Sequence, residues 1–249
     1  MRRGLIVGIA AIAVVVGGGA AFIWFSGGSG EPSTDVTAPP VQTTTTAASA
    51  GDGEAPAEAS TTTTTAAESS GGPITFELTR ESQASFTLQE DLRGNRTTVV
   101  GTTDRVVGQL LVDPSDPASA QLGEILINAR TLSTDNDFRN RAIRGQILES
   151  SNDAFEFITF SPTTIEGLPD EAGVPFTFDV TGDLTIRDIT MPVTFTVTIE
   201  EASDNSVVGT ATAQVLRSDF DLTIPEVPSV ANVTDEVDLE LFFVAEPVS

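Results

Sequence analysis

The chain has 249 residues and contains no Cys, His, Tyr or Lys, so its 12 basic residues are all Arg. These absences exclude disulfides, thiolate nucleophiles, sulfur metal sites and histidine-based acid–base catalysis. A formal charge of −24, from 36 Asp and Glu, repels anions and argues against nucleic acid as a partner.

Residues 5–25 come first in the chain and carry no charge. As a helix this run would be about 31 Å long, which matches a bilayer core of about 30 Å. It ends in Phe22-Ile23-Trp24-Phe25, bulky residues suited to a membrane interface and unlike a small-residue cleavage site. The sequence therefore predicts an uncleaved anchor over 1–25 with a transmembrane helix at 5–25. A cleaved secretory signal is the alternative. Arg2 and Arg3 precede the span and acidic residues follow it, so the N-terminus is expected inside the cell and the rest extracytoplasmic.

Residues 26–73 are almost entirely Thr, Ala, Ser, Gly, Pro and acidic side chains, including Thr43–Thr46 and Thr61–Thr65. No apolar face offsets the entropy of ordering them, and they read as a disordered stalk. As a flexible coil the stalk would span about 40 Å.

Residues 74–249 have the size of one domain, and their period is 2. Val174, Phe176, Phe178, Val180, Gly182, Leu184 and Ile186 alternate with polar residues, and Val193, Phe195, Val197 and Ile199 do the same. The link 187–192 is too short for a crossover helix, so these two strands form an antiparallel hairpin. Further strands are predicted at 74–79, 83–90, 105–113, 121–130, 155–166, 206–217 and 235–245. Asp135 to Glu149 breaks the pattern: Asp residues open it, and Phe138, Ile143 and Ile147 follow at helical spacing, which predicts one short helix. Eight or nine long antiparallel strands with one helix fit a closed barrel or a two-sheet sandwich, and strand length favours the barrel. Alternation leaves open whether the interior is packed solid or hollow, although Gly108, Gly182, Ala211 and Ala213 on inward positions would leave room.

Several segments together resemble one family. They are Leu111 to Pro117 with its Asp-Pro turn, Asn128 to Asn136 with Arg139, Ile143 and Arg144, and Phe155 to Phe160. Val180 to Ile186 with Thr190, Pro192 and Val193 follows, then Arg217-Ser218-Asp219-Phe220 and Asp235-Glu236-Val237. In this order they are similar to the YceI-like polyisoprenoid-binding domains. Departures are Arg187 where the family often has His, Asp221 in place of a usual Gly, and a longer local connection at 90–98.

The resemblance implies an all-β, lipocalin-like, antiparallel eight-stranded barrel with one short helix, enclosing an isoprenoid lipid or similar amphiphile. The lining residues it implies are Phe176, Phe178, Val180, Leu184, Ile186, Phe195 and Val197. Arg139, Arg141 or Arg144 would meet a headgroup at the mouth; the competing reading is pairing on the helix surface, such as Asp137 with Arg141. No cofactor, metal or catalytic residue is expected. Arg217-Ser218-Asp219 lacks any base to activate the Ser and reads as a turn held by side-chain hydrogen bonds. The expected partners are the lipid and, through 5–25, the membrane; pairing into a homodimer stays open. The contrasting function is a surface scaffold or adhesion domain with a filled barrel that binds protein through its loops.

Overall fold

The structure, a computed structural model, describes residues 30–41, 72–169 and 173–248. The span predicted at 5–25 lies outside them. Among the described residues no helix is long and apolar enough to cross a membrane.

Alternating apolar and polar residues, rich in Thr and Val, make strands nearly everywhere from residue 74 onward. In chain order they are β1 (Ile74–Leu78), β2 (Gln83–Leu92), β3 (Asn95–Thr103), β4 (Val106–Val107), β5 (Gln109–Val112), β6 (Gln121–Leu122) and β7 (Ile125–Asn128). Next come α1 (Asp137–Ala142), continued by a π-helical turn (Ile143–Ile147), then β8 (Phe157–Glu166), β9 (Phe176–Ile186) and β10 (Ile189–Ser203). β11 (Ser206–Leu216), β12 (Val230–Ala231) and β13 (Glu236–Pro247) complete the set. All thirteen join one antiparallel sheet whose main path is β4-β7-β8-β9-β10-β11-β13-β1-β5-β6, with β2, β3 and β12 branching from β13. The predicted eight strands thus become ten on the main path. Two of the long predicted strands break, at Gly108 and at Gly123-Glu124, into short pieces.

The sheet curls. β13 pairs with β2 over Asp238–Phe242 and with β1 from Ala245 onward. Ser82 sits at the fork, accepting from the Val244 amide at 3.0 Å and donating to its carbonyl at 3.1 Å. On the far side of β2, Thr102 of β3 and Ser133 exchange two backbone hydrogen bonds of 2.9 and 3.0 Å, and β4 pairs with β7. The strand leaving β3 therefore returns to the β7 end of the sheet.

Tight turns set the registers. Arg93 and Gly94, at φ 53° and 83°, link β2 to β3, the positive-φ pair that a two-residue hairpin needs. Residues 90–98, predicted as a long connection, are therefore mostly strand. Arg187, at φ 57°, opens the turn between β9 and β10. Asp221 takes a left-handed conformation at φ 50°, where Gly would be unstrained.

On the outer face, threonines pair across β9 and β10: Thr177 with Thr198 at 3.1 Å, Thr181 with Thr194 at 2.8 Å and Thr185 with Thr190 at 2.9 Å. The inner face is apolar, and Val180, Leu184, Ile186, Val197, Ile199 and Phe243 are all buried. The predicted helix 135–149 is shorter than expected. Asn136 caps it, its Oδ1 accepting from the amides of Phe138 at 2.9 Å and Arg139 at 3.2 Å.

Residues 30–41 revise the stalk reading of 26–73. This stretch lies against the sheet, with Ala38 buried. The Ser33 amide and hydroxyl donate to the Glu156 carboxylate at 2.6 and 2.9 Å, and the Arg130 guanidinium donates to the Glu31 carbonyl at 2.9 Å. Composition shows no apolar face here because backbone and hydroxyl groups make the contact, on a buried charge cluster of the domain.

Candidate ligand-binding cavity

The curled sheet encloses two cavities. The first, about 190 Å³, is walled almost wholly by apolar side chains of β2, β7, β8, β9, β10, β11 and β13. The second, about 510 Å³, lies toward α1 and the 217–233 loops. Both are lined by Phe86, Leu132, Ile158, Ile186 and Leu239, so they share a wall of side chains inside one sheet.

Small residues do not make this space in the way their positions suggest. A β-carbon on Gly182 would stand 2.6 Å from Cζ of Phe160 and 2.6 Å from the Ser161 carbonyl oxygen. At Gly101, Phe86 comes within 2.2 Å of the same point, and at Gly108 Ile125 does so at 2.2 Å. The neighbouring side chains fill those gaps. A ring lying on a glycine backbone sits against the wall instead of across the lumen. Phe160 also meets Phe195 edge to face, with centroids 5.0 Å apart.

Six of the seven lining residues expected from the resemblance are brought to the first cavity: Phe178, Val180, Leu184, Ile186, Phe195 and Val197. Phe176 is not among its walls and instead stacks on Phe178 at 5.8 Å. Sequence reasoning passed over Phe86, Phe160, Leu239, Leu241 and Phe243, which line it too. The signal was present in β13, where Val237, Leu239, Leu241 and Phe243 share one face.

The larger cavity has polar groups. Arg139, on its wall, donates to Glu90 at 2.6 Å and to Asp135 at 2.6 Å. Glu90 is buried, so the charge of this cavity wall is matched within the protein. Arg141 makes no ion pair with Asp137; its Nε donates to the Asp137 carbonyl at 3.3 Å, and its guanidinium stacks over the Phe138 ring at 4.6 Å. Nearby, the Asn232 amide donates to Asp91 at 2.6 Å and, with Arg96 at 3.4 Å, holds the Asp91 carboxyl below the usual carboxylate range. Arg187 ties the β9–β10 turn to the helical segment, donating to the Ile147 carbonyl at 3.3 Å, Glu149 at 3.1 Å and the Asp221 carbonyl at 2.9 Å.

The Arg217-Ser218-Asp219 run forms a 3-10 turn over Arg217–Phe220. The Ser218 hydroxyl and amide both donate to Asp235, and Arg217 donates to the carbonyls of Thr234 at 3.1 Å and Leu222 at 3.0 Å. These groups hold the loop that walls the larger cavity.

The fold is thus a curled antiparallel sheet around an apolar cavity, with one short helix beside it. The YceI-like domain family matches over residues 76–245, and the chain belongs to that family. Among solved structures it is similar to BcnA of Burkholderia cenocepacia, at 20% identity and a TM-score of 0.51, covering 66% of this chain and 96% of that one. It is also similar to a polyisoprenoid-binding domain from Saccharophagus degradans implicated in plant cell wall breakdown. That likeness has 13% identity and a TM-score of 0.55, and covers 70% of this chain and 99% of the other. Among curated proteins no match is found.

Proposed function

We propose that this protein binds, without catalysis, a long-chain isoprenoid lipid or similar amphiphile inside its curled antiparallel sheet. One observation carries the reading: an apolar interior that stays hollow, with a cavity of about 510 Å³ beside one of about 190 Å³. The larger volume is in the range of small-molecule pockets, about 300–1,000 Å³, and the smaller adjoins it. A scaffold with a solid core would not need them. The polyisoprenoid-binding domain to which the fold is similar supports an isoprenoid over other amphiphiles.

The apolar walls suit the tail. At about 25 cal/mol per Å², burying several hundred Å² of chain contributes on the order of 10 kcal/mol before ordering costs. The headgroup end is the polar wall around Arg139 and Glu90. The apolar run 5–25 supports a membrane-anchored, extracytoplasmic setting in which the lipid is at hand.

Mass spectrometry of lipids that co-purify with the full chain tests the reading, together with titration by a fluorescent polyprenyl probe. Polyprenyl species and saturable uptake are the expected results. No bound lipid and no uptake would sink the idea.

A further inference from the structure

We infer that Phe86, seated on Gly101, is the partition between the two cavities and sets the length of chain that the protein can hold. This deepens the lipid-binding reading and rests on it. The strands place the boundary. Along β2, Ala84 lines the first cavity, Phe86 lines both, and Leu88 lines the larger one. β13 repeats the order, with Leu241 on the first cavity, Leu239 on both and Val237 on the larger. Phe86 and Leu239 are register partners across β2 and β13. With Leu132, Ile158 and Ile186 they complete a collar of five side chains common to both cavities.

The collar matters because of the sizes on either side of it. At about 190 Å³ the first cavity is below the low end of small-molecule pockets, about 300 Å³, so it serves a ligand as an extension of the larger one. What stands in the collar decides whether a chain can reach through. Leu132 and Ile186 are buried, and the two isoleucines are branched at Cβ, which restricts their χ1. Phe86 is half-buried and is the largest of the five. Its ring is laid back on β3, where a β-carbon on its register partner Gly101 would stand 2.2 Å from Cε1 and 2.4 Å from Cζ. The bare backbone of Gly101 is the seat that keeps the ring out of the passage.

The seat can be filled without straining the backbone. Gly101 is not among the positive-φ glycines, and the three atoms nearest to an added β-carbon all belong to the Phe86 ring, the far end of a flexible side chain. Ala at this position therefore displaces the ring. Because Phe86 lines both cavities, the space open to the displaced ring is the passage between them. Chain length becomes the property selected: a short prenyl chain is housed in the larger cavity, whereas a long one has to pass the collar.

Fluorescent geranyl and decaprenyl probes, titrated into the full chain and its variants, test the partition, with circular dichroism to record folding. The parent should take up both. Gly101→Ala should bind decaprenyl at least about tenfold more weakly, the equivalent of about 1.4 kcal/mol, with geranyl changed by less than about twofold. Adding Phe86→Leu to Gly101→Ala should restore decaprenyl binding, because the smaller side chain clears the collar. Phe86→Leu alone should raise the rate of decaprenyl uptake relative to geranyl; if Gly101→Ala fails to fold, that ratio decides. Undiminished decaprenyl binding by folded Gly101→Ala, an equal loss of both probes, no rescue by Phe86→Leu, an unchanged ratio of rates, or uptake of geranyl alone by the parent overturns the proposal and leaves the lipid reading standing. Uptake of neither probe by the parent sinks that reading, and the partition with it.

Discussion

The guanidinium of Arg130 donates at 2.9 Å to the backbone carbonyl of Glu31, a residue 99 positions earlier in the chain. The same side chain pairs with Glu156 at 3.0 Å and with Asp153, and Glu156 in turn accepts from Ser33 and from Asn128 at 2.8 Å. One buried cation thus joins the N-terminal strap, the turn after β7 and the turn before β8.

Replacing Arg130 by Ala leaves Glu156 buried without its cation. Loss of one partner of a buried pair costs about 3–5 kcal/mol. Urea denaturation should show a loss of that size, and limited proteolysis should cut within 30–41 faster. Ser33→Ala removes only a hydroxyl contact and should cost about 1 kcal/mol. Equal effects of the two substitutions would show that Arg130 does not organise the strap.

The contact of Gly182 with Phe160 sets a second test. A methyl there meets the Phe160 ring at 2.6 Å, which can move, and the Ser161 carbonyl at 2.6 Å, which cannot without shifting β8. Gly182→Ala should destabilise by about 1–3 kcal/mol in thermal or urea unfolding. Adding Phe160→Leu should recover part of the loss. Full recovery would mean that the backbone contact costs nothing.

Ala211 on β11 lines the first cavity between Val197 of β10 and Leu241 of β13. Ala211→Phe puts a ring into that space. Uptake of a polyprenyl probe should fall at least about tenfold, equal to about 1.4 kcal/mol, while the fold survives with a cost of about 1–3 kcal/mol. Unchanged uptake in a folded variant would place the tail elsewhere.

Glu124, between β6 and β7, is half-buried, and burial raises its carboxyl above the ordinary value of 4.5. A carboxyl whose folded pKa is raised stabilises below its unfolded pKa, and that contribution is lost as pH rises through the folded pKa. Glu124→Gln should therefore raise the melting temperature at pH 7 and bring little change at pH 4. Asp91 and Asp113 run the other way. Their carboxyls are held low, Asp91 first by Asn232 and Asp113 first by Ser115, and their contribution is lost as pH falls. A variant at Glu124 that melts lower at pH 7 than at pH 4, relative to the parent, would reverse the assigned sign.

The sequence by itself determined the strands whose inward side chains are their own. In β9 and β10 every second residue is apolar, so the hairpin and its inner face were legible from spacing, whereas the lining residues were implied only by the family resemblance. The short helix expected over 135–149, found as Asp137–Ala142 with its π-helical turn, and the Arg217 turn were legible for the same reason: their signals are local. Only the tertiary structure decided the rest. β3 reads Asn-Arg-Thr-Thr-Val-Val-Gly-Thr-Thr and looks like a loop, because the apolar surface over Gly101 belongs to Phe86 of the neighbouring strand. Glu90 looks like one more acidic residue until the fold brings Arg139, 49 positions away, against it. Residues 30–41 look like stalk until a buried Arg130 takes up the Glu31 carbonyl. Periodicity records what a residue contributes to its own strand. It carries no record of a ring, a cation or a carbonyl that arrives from elsewhere in the chain, and those long-range contacts shape this cavity and hold its N-terminal strap.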